Sequence, residues 1–402
     1  MASPKLRFKE FEADWFILPL KKLCKINQGL QIAIEDRFLE NGENRFFYIT
    51  NEFLRESAKK SYFIENPPIS VRCKSDDILM TRTGNTGQVV TNVEGAFHNN
   101  FFKIDFDRRQ VDKNFFVEFL RKNTTQHLIL KYAGASTIPD LNHSDFYRIQ
   151  MPITSIDEQT QIASFLSAVD EKINLLTQKY ELLSQYKQGM MQKLFSQQIR
   201  FKADDGKEFG EWEEKFLKEF FPKIRNGFVG VATPYYVESG VKYLQGKNIK
   251  NGKIDATGLI YINNEFHQKK TNSILHTNDI LMVQSGHVGE CAVVTDEYKN
   301  GNCHALLVLT PKSSQIVNSE FVVYYFYSEF GKKKITLIKT GNTIEHILAS
   351  DIKEVSMLFP CIEEQTKIAN FLSAIDQKIE VVALQIEQAK QWKKGLLQQM
   401  FV

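Results

Sequence analysis

Two stretches of the chain space their apolar residues alternately by four and three positions. The first stretch covers residues 156–195 and the second covers residues 362–401. An average spacing of 3.5 residues is typical of the seam of a coiled coil. About 38 residues at ~1.5 Å each would form a helix of roughly 60 Å, so the pattern predicts two long helices. The seam positions are Ile162, Leu166, Val169, Ile173, Leu176, Tyr180, Leu183, Lys187, Met190 and Leu194, then Ile368, Leu372, Ile375, Ile379, Val382, Ile386, Ala389, Lys393, Leu396 and Met400.

These two stretches are copies of one segment. The second repeats the first without a gap, at an offset of 206 residues from Ile156 to Ile362. Because both copies retain the same residues, we interpret these residues as parts of paired spacer helices that bind a partner twice. A solvated helix surface is the alternative interpretation of the polar members. The repeated residues include Glu158, Gln159, Phe165, Leu166, Asp170, Ile173 and Lys187, which recur as Glu364, Gln365, Phe371, Leu372, Asp376, Ile379 and Lys393.

The blocks that precede the two copies resemble each other more weakly. Residues 77–80 read Asp-Ile-Leu-Met and precede a loop with two glycines, and residues 279–282 repeat this arrangement. Both blocks are rich in short strand-like runs, such as 46–49 and 306–309, and contain fewer helical stretches. Each block is therefore predicted to be a mixed α/β domain.

The predicted fold class is α+β, with a pseudo-twofold internal repeat. Its segments are a first domain at 1–152, a central spacer helix at 153–199, a second domain at 200–358 and a C-terminal spacer helix at 359–402. A lone helix would leave its apolar seam in water, so each helix needs a partner. Because a compact domain separates the two seams, we expect them to pair as antiparallel coiled-coil helices with the two domains at opposite ends. A homodimeric coiled coil is the alternative.

Each domain carries one loop with two glycines directly after a strand-like run. Arginine and asparagine in the first loop, and glutamine and histidine in the second, are groups that can read the edges of bases. The glycines would let the backbone approach a phosphate, although an ordinary polar turn is the alternative interpretation. The predicted DNA-binding residues are Arg82, Thr83, Asn85 and Thr86, then Gln284, Ser285 and His287, with Ser136, Thr137, Asn342 and Thr343 as weaker candidates and Lys247 as a phosphate contact.

Composition and charge limit the class of protein. The 402 residues are 43% hydrophobic and 25% charged, which is typical of a globular protein of two to three domains. No run approaches the ~18 apolar residues of a membrane span and residues 1–10 have no apolar core, so we expect a cytoplasmic protein without a membrane. The formal net charge of +3 permits a nucleic-acid partner without requiring one. The five cysteines show no CxxC spacing, so no metal site is predicted.

Two segments come close to catalytic motifs without matching them. Residues 66–69 read Asn-Pro-Pro-Ile, where adenine-N6 methyltransferases need an aromatic residue at the fourth position. Residues 240–248 resemble a P-loop but have one residue too many between the glycines, and Asn248 stands where a magnesium-binding Ser or Thr is needed. The chain is therefore predicted to have no catalytic residues of its own.

The whole chain resembles the specificity (S) subunit of Type I restriction-modification systems. The resemblance rests on Glu-Gln-Thr-x-Ile-Ala-x-Phe-Leu-Ser-Ala-x-Asp-x-Lys-Ile at 158–173 and 364–379, and on Asp-Ile-Leu-Met-x-x-x-Gly-x-x-Gly at 77–87 and 279–289. It implies that 1–152 and 200–358 are target-recognition domains, each reading one half of an asymmetric, bipartite site in double-stranded DNA. It also implies that the helices set the gap between the halves and dock two methyltransferase (modification) subunits.

The same resemblance implies where the chemistry occurs. The methyltransferase subunits would use S-adenosylmethionine for adenine-N6 methylation, and restriction/translocase subunits would use ATP and magnesium. This chain would bind no cofactor. Two other hypotheses are a self-contained DNA methyltransferase or nuclease, which would bind S-adenosylmethionine by itself, and a coiled-coil adaptor between proteins, which would leave no sequence-dependent footprint on DNA.

Overall fold

A computed structural model describes residues 3–55, 60–134, 137–341 and 345–401 of the chain. The chain divides into two compact units. The first unit consists of Met1–Thr177 and Leu384–Val402, and the second consists of Gln178–Ala383. Each unit therefore contains one mixed α/β domain together with part of each long helix.

The strands of the first unit are short, and most of them lie in two four-stranded sheets. One sheet is antiparallel with the order β2-β9-β6-β7, and the other is mixed with the order β4-β3-β8-β5. A separate antiparallel pair joins β1 to β10. The strands are β1 Phe16–Pro19, β2 Cys24–Gln28, β3 Arg45–Ile49, β4 Phe63–Glu65, β5 Arg72–Cys73, β6 Ile78–Thr81, β7 Val89–Val90, β8 Gly95–Phe97, β9 Phe101–Phe106 and β10 Gln150–Ile153.

The helices of the first unit cover the antiparallel sheet. Helix α2 begins after Asp112, whose carboxylate accepts a hydrogen bond from the backbone N–H of Phe115 at 2.9 Å, as expected of a good N-cap. Buried residues of α2, such as Phe116, share one apolar core with β2, β6 and β9. The helices are α1 Leu20–Leu23, α2 Lys113–Arg121, α3 Asn123–Ala133, α4 His143–Arg148 and α5 Ile156–Phe195, of which α5 continues into the second unit.

The second unit repeats the antiparallel sheet of the first, whereas its mixed sheet shares three strands with that of the first unit and differs at both edges. Its sheets have the orders β12-β21-β18-β19 and β13-β17-β14-β20, and β11 pairs with β22 as β1 pairs with β10. The hairpin β15–β16 has no counterpart in the described part of the first unit. The strands are β11 Glu213–Phe216, β12 Lys223–Asn226, β13 Tyr236–Val237, β14 Val241–Leu244, β15 Ile249–Lys250, β16 Lys253–Ile254, β17 Ile260–Ile262, β18 Ile280–Val283, β19 Cys291–Val293, β20 Asn302–Cys303, β21 Leu306–Thr310 and β22 Ser356–Phe359. The helices are α6 Leu217–Phe220, α7 Asn264–Lys269, α8 Ser319–Tyr327, α9 Glu329–Ile338, α10 Ala349–Lys353 and α11 Ile362–Met400.

The spacer helices α5 and α11 pair antiparallel within each unit, as the sequence predicts. In the first unit, Ile162 and Leu166 near the start of α5 share a core with Leu396 and Met400 near the end of α11. The second unit reverses these roles, and the end of α5 shares a core with the start of α11. The predicted α+β class with two long helices is confirmed.

Most of the predicted seam is buried or half-buried. Twelve of its twenty members are buried, five in α5 and seven in α11, including Val169 and Val382. Tyr180 is the exception, since 39% of its surface is exposed. The 3.5-residue period therefore identifies the paired faces of both helices except at this position.

The cysteines are free thiols, and four of the five are buried. Burial raises the pKa of the Cys24, Cys73 and Cys303 thiols to about 12, so these thiols stay protonated at neutral pH. Cys361, directly before α11, is the exposed one. This arrangement agrees with the absence of CxxC spacing.

No helix in the described part of the chain is both long and apolar enough to cross a membrane.

Candidate nucleic-acid interface

The predicted reading loop of the first unit is a tight turn between β6 and β7. All four residues of β6 are buried, and the chain reverses through Gly84 and Gly87, whose φ angles are +83° and +89°. L-amino acids with a side chain rarely adopt such angles, so both positions favour glycine. A Cβ atom at Gly87 would also lie 2.9 Å from the side chain of Gln126. The glycines thus hold the loop close to α3 and determine where its other side chains lie.

Arg82 lies at the base of this loop, in an ion pair with Asp140. Its Nε and Nη2 donate to the two carboxylate oxygens of Asp140 at 3.0 and 2.8 Å. Its Nη1 donates to Oε1 of Gln28 at 3.2 Å, and the same oxygen lies 2.7 Å from Nε2 of His143. Burial lowers the pKa of His143, and the nearby Arg82 lowers it further against the opposing effect of Asp140. The imidazole is therefore neutral at pH 7.

The other predicted residues of this loop have different environments. Asn85 and Thr137 are exposed, and Thr83 is half-buried beside Asp140, with which it forms a β-bridge. Thr86 is buried, and its hydroxyl donates to the carbonyl of Pro139 at 2.6 Å. The hydroxyl hydrogen of Thr86 is thus used inside the protein, and the interpretation of Thr86 as a reading residue stays a prediction. Ser136 lies outside the described residues.

The equivalent loop of the second unit follows β18 and has the same backbone arrangement. Gly286 and Gly289 have φ angles of +83° and +94°. The carbonyl of Gln284 accepts the N–H of Ile347 at 3.0 Å, as the carbonyl of Arg82 accepts the N–H of Leu141 at 2.8 Å in the first unit. Ser285 forms a β-bridge with His346, which therefore occupies the place of Asp140.

The side chains of the second loop are less constrained. Ser285 and His287 are exposed and Gln284 is half-buried, and the side chain of Gln284 makes no hydrogen bond to any described residue. Lys247 is exposed on a single helical turn at Gly246–Asn248. Asn342 and Thr343 lie outside the described residues. The two units thus place different hydrogen-bonding groups on one backbone scaffold.

The repeated Glu-Gln pair at the start of each spacer helix does not form an exposed surface. Glu158 and Gln159 are fully buried. Glu158 receives Nε and Nη2 of Arg7 at 2.7 and 2.9 Å, and this pairing raises the pKa of the arginine. Gln159 accepts the backbone N–H of Asp112 at 3.0 Å and donates to the carbonyl of Thr154 at 2.7 Å. These side chains anchor α5 to the domain.

The second copy forms the same anchor with its own partners. Glu364 pairs with Arg200 at 3.1 and 2.7 Å and accepts the indole N–H of Trp212 at 3.1 Å. Gln365 accepts the backbone N–H of Asn318, the residue before α8, at 2.9 Å. The prediction that the four Glu and Gln residues face a partner is therefore wrong, because their polar atoms are already paired inside each unit.

Lysine and aspartate from the repeated segment join the two spacer helices. In the first unit, Lys393 of α11 lies 2.7 Å from Asp170 of α5 and 3.0 Å from Glu118 of α2. In the second unit, Lys187 of α5 lies 2.6 Å from Asp376 of α11. The phenol of Tyr324 on α8 donates to Asp376 at 2.8 Å, and burial raises the pKa of this phenol.

The remaining predicted helix residues lie in or beside the core. Leu166 and Leu372 are fully buried, and Ile173 and Ile379 pack against the same cores. Phe165 contacts Phe8 and Trp392 edge-on, with ring centroids 5.8 and 5.9 Å apart, and Phe371 packs in a similar way on Phe201 at 5.6 Å. None of these six is a freely exposed apolar residue, so they serve mainly to join the helices to their domains.

Exposed apolar residues on the spacer helices were missed from the sequence. Leu175 and Trp392 in the first unit occupy the same repeat positions as Val381 and Tyr186 in the second unit. Between 52% and 55% of the surface of each is exposed. Leu182 and Leu384 are also more than half exposed. These apolar residues lie off the 3.5-residue seam. Apolar residues outside the seam are the sequence signal that could have identified them. We call Leu175, Leu384 and Trp392 the first helix patch, and Leu182, Tyr186 and Val381 the second helix patch.

The segments that resemble catalytic motifs have structural roles. In the Asn-Pro-Pro-Ile segment, Asn66 has a φ angle of +46° and Ile69 is 82% exposed, which describes a surface turn. In the segment that resembles a P-loop, Asn248 is buried and donates to the carbonyl of Asp255 at 2.9 Å. Among the described residues, no group of three or more His, Cys, Asp or Glu side chains is arranged to hold a metal ion.

Comparison with known proteins agrees with this duplicated architecture. The family described as the Type I restriction modification DNA specificity domain matches residues 12–185 and 210–391. The MjaVIII Type I restriction enzyme specificity subunit of Methanocaldococcus jannaschii is 25% identical over 394 residues, which cover 96% of this chain and 91% of the relative. This relative is a specificity subunit by name, rather than a methyltransferase or nuclease subunit.

Solved structures share the fold at low sequence identity. The S subunit of a Type I restriction-modification system from M. genitalium has a TM-score of 0.62 at 16% identity, over 100% of this chain and 99% of that chain. A second solved structure comes from work on the complex assembly and conformational transition of the Type I restriction-modification system. It has a TM-score of 0.58 at 16% identity, over 96% of this chain and 98% of that chain. The family match covers most of the sequence in two parts, one for each repeat. The chain therefore belongs to the family of Type I restriction-modification specificity subunits.

Proposed function

We propose that each unit reads one half of an asymmetric, bipartite site in double-stranded DNA. One observation carries this proposal: the two units share one loop scaffold but place different hydrogen-bonding side chains on it. Arg82 and Asp140 in the first unit are replaced by Gln284 and His346 in the second. A duplicated scaffold with different polar groups is suited to reading two different sequences, because base identity is read through donors and acceptors.

The spacer helices would set the gap between the two half-sites. The ion pairs Asp170–Lys393 and Lys187–Asp376 join residues whose numbers have the same sum, so both units use one antiparallel register. Both lysines are largely covered, with 16% and 22% of their side chains exposed. A slip of one helix along the other would separate both pairs and shift the apolar seam. A fixed register is what a ruler between two DNA-reading domains requires.

The two helix patches would dock two methyltransferase subunits. Each unit exposes one patch, and the pairs Leu175/Val381 and Tyr186/Trp392 occupy equivalent repeat positions. Exposed aromatic and aliphatic residues of this kind are typical anchors of protein–protein interfaces. The structural relative described under complex assembly of the Type I system supports an assembly role. Two patches that share two of their three repeat positions suit two copies of one partner.

The chemistry would occur in the partners. The methyltransferase subunits would use S-adenosylmethionine to methylate adenine at N6, and restriction/translocase subunits would use ATP and magnesium in the cytoplasm. This chain would contribute base recognition and bind no cofactor. Because the formal net charge is only +3, the isolated chain would bind DNA weakly and with a steep dependence on salt.

Modified-base sequencing of the host genome, with and without this gene, tests the proposal. We expect a two-part motif with methyladenine in each half, on opposite strands, to lose its methylation on deletion. Exchange of residues 1–152 or 200–358 for those of another specificity subunit should then change one half of the motif only. An unchanged methylation pattern, with the partner subunits expressed and active, would refute the DNA-targeting proposal and favour the adaptor hypothesis.

The helix patches make a separate prediction about stoichiometry. We expect Trp392→Lys or Tyr186→Lys to reduce the bound methyltransferase from two copies to one, because each variant places a charge in one patch. Loss of an aromatic anchor typically costs at least ~2 kcal/mol of binding energy, or about 30-fold in affinity. Native mass spectrometry of the reconstituted complex would count the subunits.

Controls for this prediction come from the adjacent exposed positions. Gln391→Lys and Gln185→Lys add the same charge beside each patch and should still bind two copies, and circular-dichroism melts would verify folding. Two methyltransferase copies bound with unchanged affinity in both patch variants would contradict the docking assignment.

A further inference from the structure

The ion pair at the base of the first loop has no counterpart among the described residues of the second loop. Arg82 and Gln284 occupy the same backbone position, as do Asp140 and His346. The second unit keeps the β-bridge and the same backbone hydrogen bond, although His346 forms no ion pair with a described residue. The Arg82–Asp140 pair is also partly open to water, with 25% and 50% of the two side chains exposed. Because exposed ion pairs contribute little to stability, the fold itself does not require this one.

The network around Arg82 leaves a defined set of hydrogen-bonding groups. Three of its five N–H groups are used, two by Asp140 and one by Gln28. One N–H remains on Nη1 and one on Nη2. Gln28 is itself held in place, since its amide nitrogen donates to the carbonyl of Asn99 and its oxygen faces both Arg82 and His143. The guanidinium is therefore held on two sides before any ligand binds.

We propose that Arg82 and Asp140 together read one guanine–cytosine base pair in the half-site of the first unit. Guanine presents two adjacent acceptors in the major groove, O6 and N7, and they match the two free N–H groups of Arg82. Cytosine presents the N4 amine as a donor, and an oxygen of the half-exposed Asp140 can accept from it. This inference rests on the proposed function, since it identifies a base pair within one predicted half-site.

The second unit provides a contrast at the equivalent position. Gln284 has a free amide, and an amide pairs with N6 and N7 of adenine rather than with guanine. The same loop position therefore selects different bases in the two half-sites. Gln28 acts as a positioning residue for the guanidinium. Asp140 both orients the guanidinium and accepts from cytosine, and its negative charge also disfavours a phosphate at this place.

The test measures base preference with the complete methyltransferase complex on a DNA library randomised across the first half-site. The complex is assembled in turn with the wild-type chain, with Arg82→Gln and with Arg108→Gln. Arg108 is the matched control. It also pairs with an aspartate, but it follows the C-terminal end of β9 and lies outside the glycine loop that contains Arg82. We expect Arg82→Gln to lower the preference for guanine at one position by about 5- to 150-fold and to move it towards adenine. The second half-site should stay unchanged, and Arg108→Gln should leave the whole motif unchanged.

An unchanged motif in Arg82→Gln would overturn the proposal. If this variant folds and assembles but loses all methylation, wild-type complex on sites carrying 7-deazaguanine decides the question. Weaker binding for one guanine of the first half-site supports the proposal, and equal binding for every guanine overturns it. Asp140→Asn should reduce discrimination at the same base pair, whereas a purely structural pair would change only the melting temperature. Failure of the proposed function is distinct, because no two-part motif would then exist for the wild type.

Discussion

Four residues inserted into each spacer helix, within 174–186 and within 380–392, are expected to lengthen the recognised gap by one to two base pairs. Four residues add ~6 Å of helix and about 40° of net rotation. One base pair advances DNA by ~3.4 Å and turns it by about 35°, so the length favours two base pairs and the rotation favours one. Both insertions lie between the ion pairs Asp170–Lys393 and Lys187–Asp376, which can therefore re-form.

Insertion into both helices is essential to this experiment. An insertion in α5 alone would leave four residues of seam without their partners and would shift one ion pair against the other. A four-residue insertion disturbs the 3.5-residue period locally, but natural coiled coils tolerate such insertions by unwinding slightly at that point. Methylation at sites with the original gap should fall to background, whereas sites with the longer gap should become methylated.

Modified-base sequencing of cells that carry the variant would measure the new gap. The same four residues inserted beside Gly206, in an exposed turn of the second unit with no atoms near its Cβ position, provide the control and should leave the gap unchanged. A double insertion that methylates only the original sites would contradict the idea that the helices act as a ruler.

Glu364→Ala is expected to destabilise the second unit by about 3 kcal/mol. The carboxylate of Glu364 is fully buried, and its removal leaves the indole N–H of Trp212 without this acceptor and Arg200 with a backbone carbonyl, that of Gly210, in place of a negative charge. Breaking a buried ion pair by removing one partner costs roughly 3–5 kcal/mol, because the other charge is left uncompensated. The lower end applies here, since 19% of the Arg200 side chain is still exposed to water.

Urea denaturation followed by tryptophan fluorescence would measure this loss, because Trp212 lies at the site. Glu208→Ala is the matched control: Glu208 pairs with Lys202, but 65% and 61% of these side chains are exposed. We expect little or no change in the control, because exposed pairs are screened by water. Equal unfolding midpoints for wild type and Glu364→Ala would show that the start of α11 is not anchored through this carboxylate.

The helices and their pairing follow from local patterns in the sequence. The predicted stretches 156–195 and 362–401 correspond to α5 at Ile156–Phe195 and α11 at Ile362–Met400. This agreement is expected because a seam period depends only on residues a few positions apart. The glycine loops were also identifiable, since a turn with positive φ angles selects glycine by local geometry.

The roles of the repeated polar residues depended on the tertiary structure. Glu158 and Glu364 recur in both copies, and the same repetition would be seen if they bound a partner or anchored a domain. Their partners Arg7 and Arg200 are 151 and 164 residues away along the chain, where no periodic pattern connects them. Because these carboxylates are buried, they form an internal anchor and not the docking surface that was predicted.

The sequence by itself determined the duplication, the two seams and the positions of the glycine loops, because each of these depends on short-range spacing or on comparison of the repeats. Only the tertiary structure decided which polar side chains face inward, that Thr86 is used internally, and that Arg82 meets Asp140 across 58 residues of chain. The physical reason is that a hydrogen bond or ion pair depends on the distance between atoms in space. The fold sets that distance through contacts that are remote in sequence.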